Sequence, residues 1–163
     1  SAARDGLSQA EALIDAGQPQ PARLLLEDVL RNEPTNPAAS ALLAGILVFE
    51  DPERAAGLAE TGMTGESRHV QVSESVRTLA VLLGRDPTGL PDSAGRSAYR
   101  AAVEALRNRD FTATIAHLIE VLQKDRYYDE DGARKAGVAL FSLLGTEHPV
   151  TREYRRTFDM WLF

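Results

Sequence analysis

Two stretches of the chain, "AEALIDAGQPQPARL" (Ala10–Leu24) and "AGILVFEDPERAAGL" (Ala44–Leu58), decide the fold. They correspond to each other at a constant offset of 34 positions. The matched pairs are Ala10 and Ala44, Leu13 and Leu47, Gly17 and Asp51, Ala22 and Ala56, and Leu24 and Leu58. Apolar residues at helical spacing flank a Gly/Pro break in the first stretch and an Asp-Pro break in the second, so each stretch predicts a helical hairpin.

The same offset returns later in the chain, where Ala102, Ala105 and Leu106 match Ala136, Ala139 and Leu140. A 34-residue period with helix–turn–helix punctuation is typical of tetratricopeptide repeats. Ala44 and Ala102 occupy equivalent positions but are 58 residues apart, which exceeds one 34-residue period by 24 residues. This excess predicts an inserted helix at about residues 66–84, followed by a Gly/Pro loop through Pro91.

Helical periodicity dominates the whole chain, and strand signals are scarce. Stop and start signals divide it into about nine helices. We therefore predict an all-α fold, a tetratricopeptide-like right-handed superhelical array of antiparallel helix hairpins with a capping C-terminal helix. Residues 1–163 are expected to form one helical domain. The loop "GRDPTGLPDSAG" leaves two arrangements open, a continuous solenoid or two lobes at residues 1–84 and 92–163.

Composition excludes several classes of protein. The 163 residues are 44% hydrophobic and 26% charged, as in ordinary globular proteins, and no apolar run reaches the ~18 residues of a membrane helix. The chain has no Cys, so it lacks disulfides and thiolate chemistry. Residues 1–60 hold four Arg against ten acidic residues and carry the whole net charge of -6, which argues against nucleic-acid binding. No signal peptide is visible, and we expect a cytoplasmic protein.

The segment "KDRYYDEDGARK" (Lys124–Lys135) has the densest cluster of ionisable side chains in the chain. In an EF-hand loop, position 127 would hold an acidic residue and position 138 a Glu, but this chain has Tyr127 and Val138 there. The segment is better interpreted as a connector between helices, with Asp129 or Asp131 as an N-cap or first-turn acid and one of its two Tyr rings packed inward. The three histidines, His69, His117 and His148, lack metal-ligand spacing, and no catalytic motif is present. We predict no enzyme activity, no metal and no cofactor.

The last segment, "HPVTREYRRTFDMWLF" (148–163), predicts an amphipathic helix. Val150, Tyr154, Phe158 and Trp161 share one face at spacings of four, four and three. Two interpretations are open, a helix that caps the array or a helix that reaches a partner protein. In the second interpretation the partner-binding residues are Arg152, Arg155, Arg156, Trp161 and Phe163.

The C-terminal segment from Val121 resembles the repeat region of the thioredoxin-domain-containing co-chaperones called chaperedoxins. The matching residues are Lys124, Asp125, Gly132, Ala133, Arg134, Lys135, Phe141, Leu144, Gly145, Tyr154, Arg155, Arg156 and Phe163. This resemblance implies a holdase that binds unfolding protein clients and passes them to a folding chaperone. It also implies a thioredoxin-like domain before the repeats, which these residues do not include, so no redox activity is expected here.

We therefore expect a protein-binding module with protein clients or a chaperone as partners, and with neither nucleic acid nor membrane as a partner. The acidic N-terminal third would favour basic clients. The alternative is a stand-alone tetratricopeptide scaffold or an oligomerisation module in which Trp161 and Phe163 pair with a second copy.

Overall fold

The computed structural model describes all residues from Ser1 to Phe163 and contains helices and no strands. Nine α-helices follow one another, and a 3-10 turn at Pro87–Gly89 lies between the fifth and the sixth. The helices are α1 (Ala2–Asp15), α2 (Pro19–Asn32), α3 (Pro37–Leu47), α4 (Pro52–Gly62), α5 (Ser67–Gly84), α6 (Arg96–Arg107), α7 (Phe111–Lys124), α8 (Tyr128–Leu144) and α9 (Pro149–Met160). The predicted all-α fold, the count of nine helices and the inserted helix α5 are confirmed. No helix has both the length and the apolar character needed to cross a bilayer.

Local sequence signals set where the helices begin. Asn36, Asp51 and Asp110 each accept a hydrogen bond from the backbone N–H three residues later, at 2.9 to 3.1 Å. This satisfies amide groups that would otherwise have no partner in the first turn. Proline occupies an N-terminal position in α2, α3, α4 and α9, where it costs no helical hydrogen bond.

The chain divides into two compact units, Ser1–Arg77 and Thr78–Phe163, and the division lies inside α5. In the first unit, α1 packs on α2 and α3, and α3 packs on α2 and α4. Its core consists of small and aliphatic side chains, among them Ala10, Ala22, Leu26, Leu43 and Leu47. In the second unit, α7 packs on α6, α8 and α9, and α8 also packs on α9. Neighbouring helices therefore form the array of hairpins that the repeat pattern predicts.

The hairpin α1–α2 corresponds to the hairpin α6–α7 at an offset of 92 residues. In both hairpins the chain turns through a left-handed residue, Gly17 (φ 75°) or Arg109 (φ 57°). In both, the next N–H donates to a carbonyl five residues back, Gln18 to Leu13 at 2.8 Å and Asp110 to Ala105 at 2.9 Å. The second helix then has 14 residues in each case. Thr114 accordingly takes the buried position of Ala22.

The predicted match of Ala22 to Ala56 is wrong by one residue. Ala22 and Ala55 are both fully buried, whereas Ala56 is only half-buried. The second helices begin at Pro19 and Pro52, an offset of 33. The turn between α3 and α4 lacks the left-handed glycine of the first hairpin. The second helix of this hairpin therefore begins one residue earlier than a strict 34-residue period would place it.

Candidate protein-binding surface

Helix α9 is docked on α8 through one aromatic residue. Phe158 is fully buried and meets the ring of Phe141 edge to face, with ring centroids 5.5 Å apart. The close approach depends on Gly137, because a Cβ at that position would lie within 3.0 Å of three carbons of the Phe158 ring. At the other end of α9, His148 Nδ1 accepts a hydrogen bond from the Val150 N–H at 3.1 Å. This bond caps the first turn of α9.

The residues after Phe158 present apolar side chains to solvent. Helix α9 ends at Met160, so Trp161 leaves the helical periodicity and does not continue the buried face of Phe158. Met160 is 70% exposed, Trp161 is 43% exposed and Phe163 is fully exposed. Leaving such side chains in water is unfavourable unless another surface covers them.

Arg126 anchors this apolar end to the connector between α7 and α8. Its Nη2 donates to the carbonyl oxygen of Leu162 at 3.1 Å, and its Nη1 donates to Asp131 at 2.6 Å. The same guanidinium lies 4.8 Å from the centroid of the Tyr127 ring, which is 72% exposed. Tyr127 is next to Arg126 in the chain, and Met160, Trp161 and Phe163 lie within two residues of Leu162, so one arginine links the two exposed segments; we call these four residues the aromatic patch.

The connector itself contains an uncommon backbone. Asp129, Glu130 and Asp131 all have positive φ angles, 54°, 55° and 67°, which are unfavourable for residues with a side chain. Asp129 accepts hydrogen bonds from Arg85 and from the Tyr99 hydroxyl, the latter at 2.8 Å. Asp131 accepts hydrogen bonds from Arg126 and Arg134. These side-chain bonds offset the cost of the left-handed turn.

The pKa directions agree with this arrangement. Burial by itself would raise the pKa of Asp131, but the hydrogen bonds from Arg134 and Arg126 hold it below its ordinary value. The Tyr99 pKa is raised, first by burial and then by its hydrogen bond to Asp129. Asp131 is thus an ionised partner of two arginines, and Tyr99 is a neutral donor to Asp129.

The connector prediction is therefore correct in part. One Tyr ring packs inward, that of Tyr128, while Tyr127 lies outside. Asp129 and Asp131 do lie in the first turn of α8. They do not act as an N-cap, because their carboxylates bind arginine and tyrosine side chains, and no side chain caps the start of α8.

The structure places the five predicted partner-binding residues in different environments. Arg152 and Arg156 are exposed on α9, and Trp161 and Phe163 belong to the aromatic patch. Arg155 is half-buried, because its Nε donates to Asp159 at 3.0 Å and its guanidinium lies over the Phe141 ring at 5.3 Å. Arg155 therefore contributes to the docking of α9, and four of the five residues remain accessible.

Arg126, Tyr127 and Met160 are absent from the predicted partner-binding residues. Arg126 lies 36 residues before Leu162, whose carbonyl oxygen it binds, so no local periodicity connects Arg126 and its neighbour Tyr127 to the C-terminal residues. The available signal was an exposed aromatic residue next to an arginine in a helix connector, which is a common pattern at protein interfaces.

A protein-family model described as "Tetratricopeptide repeat" matches residues 74–163, which include α6 to α9. No curated protein and no solved structure matches the chain.

Proposed function

This chain belongs to the tetratricopeptide repeat family, and from that premise we propose that it is the protein-binding repeat region of a co-chaperone. Tetratricopeptide repeats are helical motifs of protein interaction. In our proposal the chain holds unfolding protein clients, as the resemblance to the chaperedoxins implies, and presents them to a folding chaperone. We further propose that it acts in the cytoplasm and is not itself an enzyme.

The observation that supports this proposal is the aromatic patch. Its apolar side chains are exposed, yet their backbone is held by the bond from Arg126 to Leu162 and by the buried Phe158. A fixed apolar surface binds with less loss of conformational entropy than a mobile tail. Trp, Tyr and Arg are also the residue types that carry most binding energy in protein interfaces. The exposed Arg152 and Arg156 add positive charge on the same helix.

The test is suppression of aggregation. A thermolabile reporter enzyme is heated with the chain at near-equal molar ratio, and light scattering is followed over time. The double variant Trp161→Ala/Phe163→Ala should lose most of the suppression while its melting temperature stays near that of the wild type, because both side chains are exposed. The matched control, Leu24→Ala/Val81→Ala, removes two other exposed apolar side chains and should suppress aggregation as the wild type does.

Equal suppression by both double variants would contradict a role of the aromatic patch in client binding. A wild-type chain that fails to suppress aggregation would contradict the holdase proposal as a whole.

The aromatic patch also suits the second candidate, pairing with another copy of the chain. A self-associating patch gives a molar mass that rises with protein concentration in light scattering, and the Trp161→Ala/Phe163→Ala variant would abolish that rise. If this rise occurs without suppression of aggregation, the chain is an assembly module rather than a holdase.

A further inference from the structure

A second surface lies in the unit Thr78–Phe163, on helices other than α8 and α9. It is a groove of about 270 Å³ between the end of α5, the 3-10 turn and α6. Its floor is apolar and consists of Leu82, Leu90 and Val103, each at most 8% exposed. Neither the repeat pattern nor the aromatic patch accounts for this groove.

The volume of the groove fits one large side chain. A buried apolar cavity of about 150 Å³ is large enough to hold a benzene molecule. The groove is larger and open to solvent on one side, so a phenylalanine or leucine side chain from another polypeptide can enter it without rearrangement of the floor. Ala101 of α6 also lines the groove, and its small side chain leaves the groove open on that helix.

Arginines surround this apolar floor. Arg85, Arg100 and Arg107 line the groove, and Glu104 is the one acidic residue among its lining side chains. Arg107 is 3.9 Å from Glu104, which is a long and solvated pair. Arg100 is exposed and makes no ion pair. The groove therefore offers guanidinium groups whose hydrogen-bonding capacity the chain itself does not fill.

One of these arginines, Arg85, is held by a hydrogen-bonded ion pair within the chain. Asp129 binds Arg85, and the Tyr99 hydroxyl holds the same carboxylate oxygen at 2.8 Å. The hydrogen bond from Arg85 to Asp129 also raises the Arg85 pKa. The left-handed backbone at Asp129 thus bears on the groove, because it places the Asp129 carboxylate against Arg85, which lines the groove.

We propose that this groove docks an acidic peptide segment, in which one large apolar side chain enters the groove and neighbouring Asp or Glu carboxylates bind Arg100 and Arg107. The apolar floor and the surrounding guanidinium groups select this chemistry together, since a basic segment would be repelled and a wholly polar one would leave the floor in water. The inference rests on the proposed function in that it takes the chain to bind proteins, but it concerns a different surface.

The experiment measures fluorescence anisotropy of three fluorescein-labelled nine-residue peptides titrated with the full chain. Each peptide has one central Phe, and its other residues are Gly with four Glu, four Gln or four Lys. The Glu peptide should bind most tightly, roughly tenfold better than the Gln peptide, and the Lys peptide should bind least. Its affinity should fall as salt is added, since the contacts are charged and partly exposed.

Two variants locate the binding. Arg100→Glu should weaken binding of the Glu peptide by roughly tenfold, whereas Arg4→Glu, the same charge change at an exposed position of α1, should leave it unchanged. Ala101→Phe should fill the groove and abolish binding. Because Arg100 is exposed and unpaired, its variant should fold normally, and circular dichroism would verify this for both groove variants.

Three outcomes would overturn the inference: no binding of the Glu peptide to the wild type, equal binding of all three peptides, or equal effects of Arg100→Glu and Arg4→Glu. Each can occur while the chain still suppresses aggregation through the aromatic patch. Conversely, a chain that binds the Glu peptide in the groove but suppresses no aggregation would retain this inference and lose the holdase proposal.

Discussion

The ring of Phe158 on α9 occupies the space beside Gly137 on α8, where three of its carbons would lie within 3.0 Å of a Cβ. Phe158 is fully buried there and packs edge to face on Phe141. A glycine in the middle of α8 is unfavourable for the helix itself, by about 1 kcal/mol relative to alanine. The chain accepts this cost because the missing Cβ lets α9 approach α8 closely.

Replacing Gly137 with Ala should therefore destabilise the chain. The gain in helix propensity is about 1 kcal/mol, whereas overpacking in a filled core costs about 1–3 kcal/mol, so we expect a net loss of up to about 2 kcal/mol. Urea denaturation followed by circular dichroism measures this change. The matched control is Gly57→Ala in α4, where nothing lies within 4 Å of the added Cβ and a gain of about 0.5–1 kcal/mol is expected. An equal gain from both substitutions would contradict this account of the contact.

Arg109 has a left-handed backbone, so replacing it with glycine should stabilise the chain, whereas replacing Gly137 should destabilise it. Its φ of 57° ends α6 in a conformation that glycine adopts freely, as Gly17 does at the equivalent place in α1–α2. Arg109→Gly should raise the free energy of unfolding by about 0.5–1 kcal/mol. Arg100→Gly, at an exposed position in the interior of α6, should instead lower it by a similar amount. A loss of stability in both variants would mean that the Arg109 side chain contributes more than its backbone strain costs.

The three left-handed residues that open α8 should differ in their response to glycine. Glu130 is exposed, so Glu130→Gly should relieve backbone strain and stabilise the chain by about 1 kcal/mol. Asp129→Gly relieves the same strain but leaves Arg85 and Tyr99 without their acceptor, at a cost of about 1–3 kcal/mol, so we expect a net loss. Thermal unfolding of the two variants side by side measures the difference. Equal stabilisation would show that the Asp129 bonds contribute little.

Buried His69 should make stability depend on pH. Burial lowers its pKa below the ordinary 6.5, Arg68 lowers it further, and Glu11 and Glu66 oppose them. Well above pH 6.5 the imidazole is neutral in the folded and the unfolded chain, so its burial does not require the loss of a proton. As the pH falls below that value, the unfolded chain binds the proton first, so the free energy of unfolding decreases until the folded pKa is reached.

The measurement is urea denaturation at several pH values between about 7.5 and about 5, above the range in which ordinary carboxylates titrate. His69→Gln should flatten the dependence on pH in this window. A wild-type profile without slope in this window would contradict the role assigned to His69.

Of the candidate surface, the sequence predicted the members that lie on or just after one helix. Trp161, Phe163, Arg152 and Arg156 follow each other closely, and the apolar end of the chain is visible in the residue order alone. Arg155 shares the same stretch, but its pairing with Asp159 and its position over Phe141 depend on how α9 is rotated against α8. Tyr127 and Arg126 enter the surface from another connector, which local spacing cannot indicate.

The sequence by itself determined the class of fold, since helix periodicity, proline at helix starts and capping residues act over a few neighbouring positions. It thereby located nine helices and the hairpin repeat. Only the tertiary structure decided the register between equivalent helices, the partners of Asp129 and Asp131, and which aromatic residues remain in water. Those features depend on residues far apart in the chain, such as Arg85 and Asp129, which are 44 positions apart, and their contacts form only when whole helices pack.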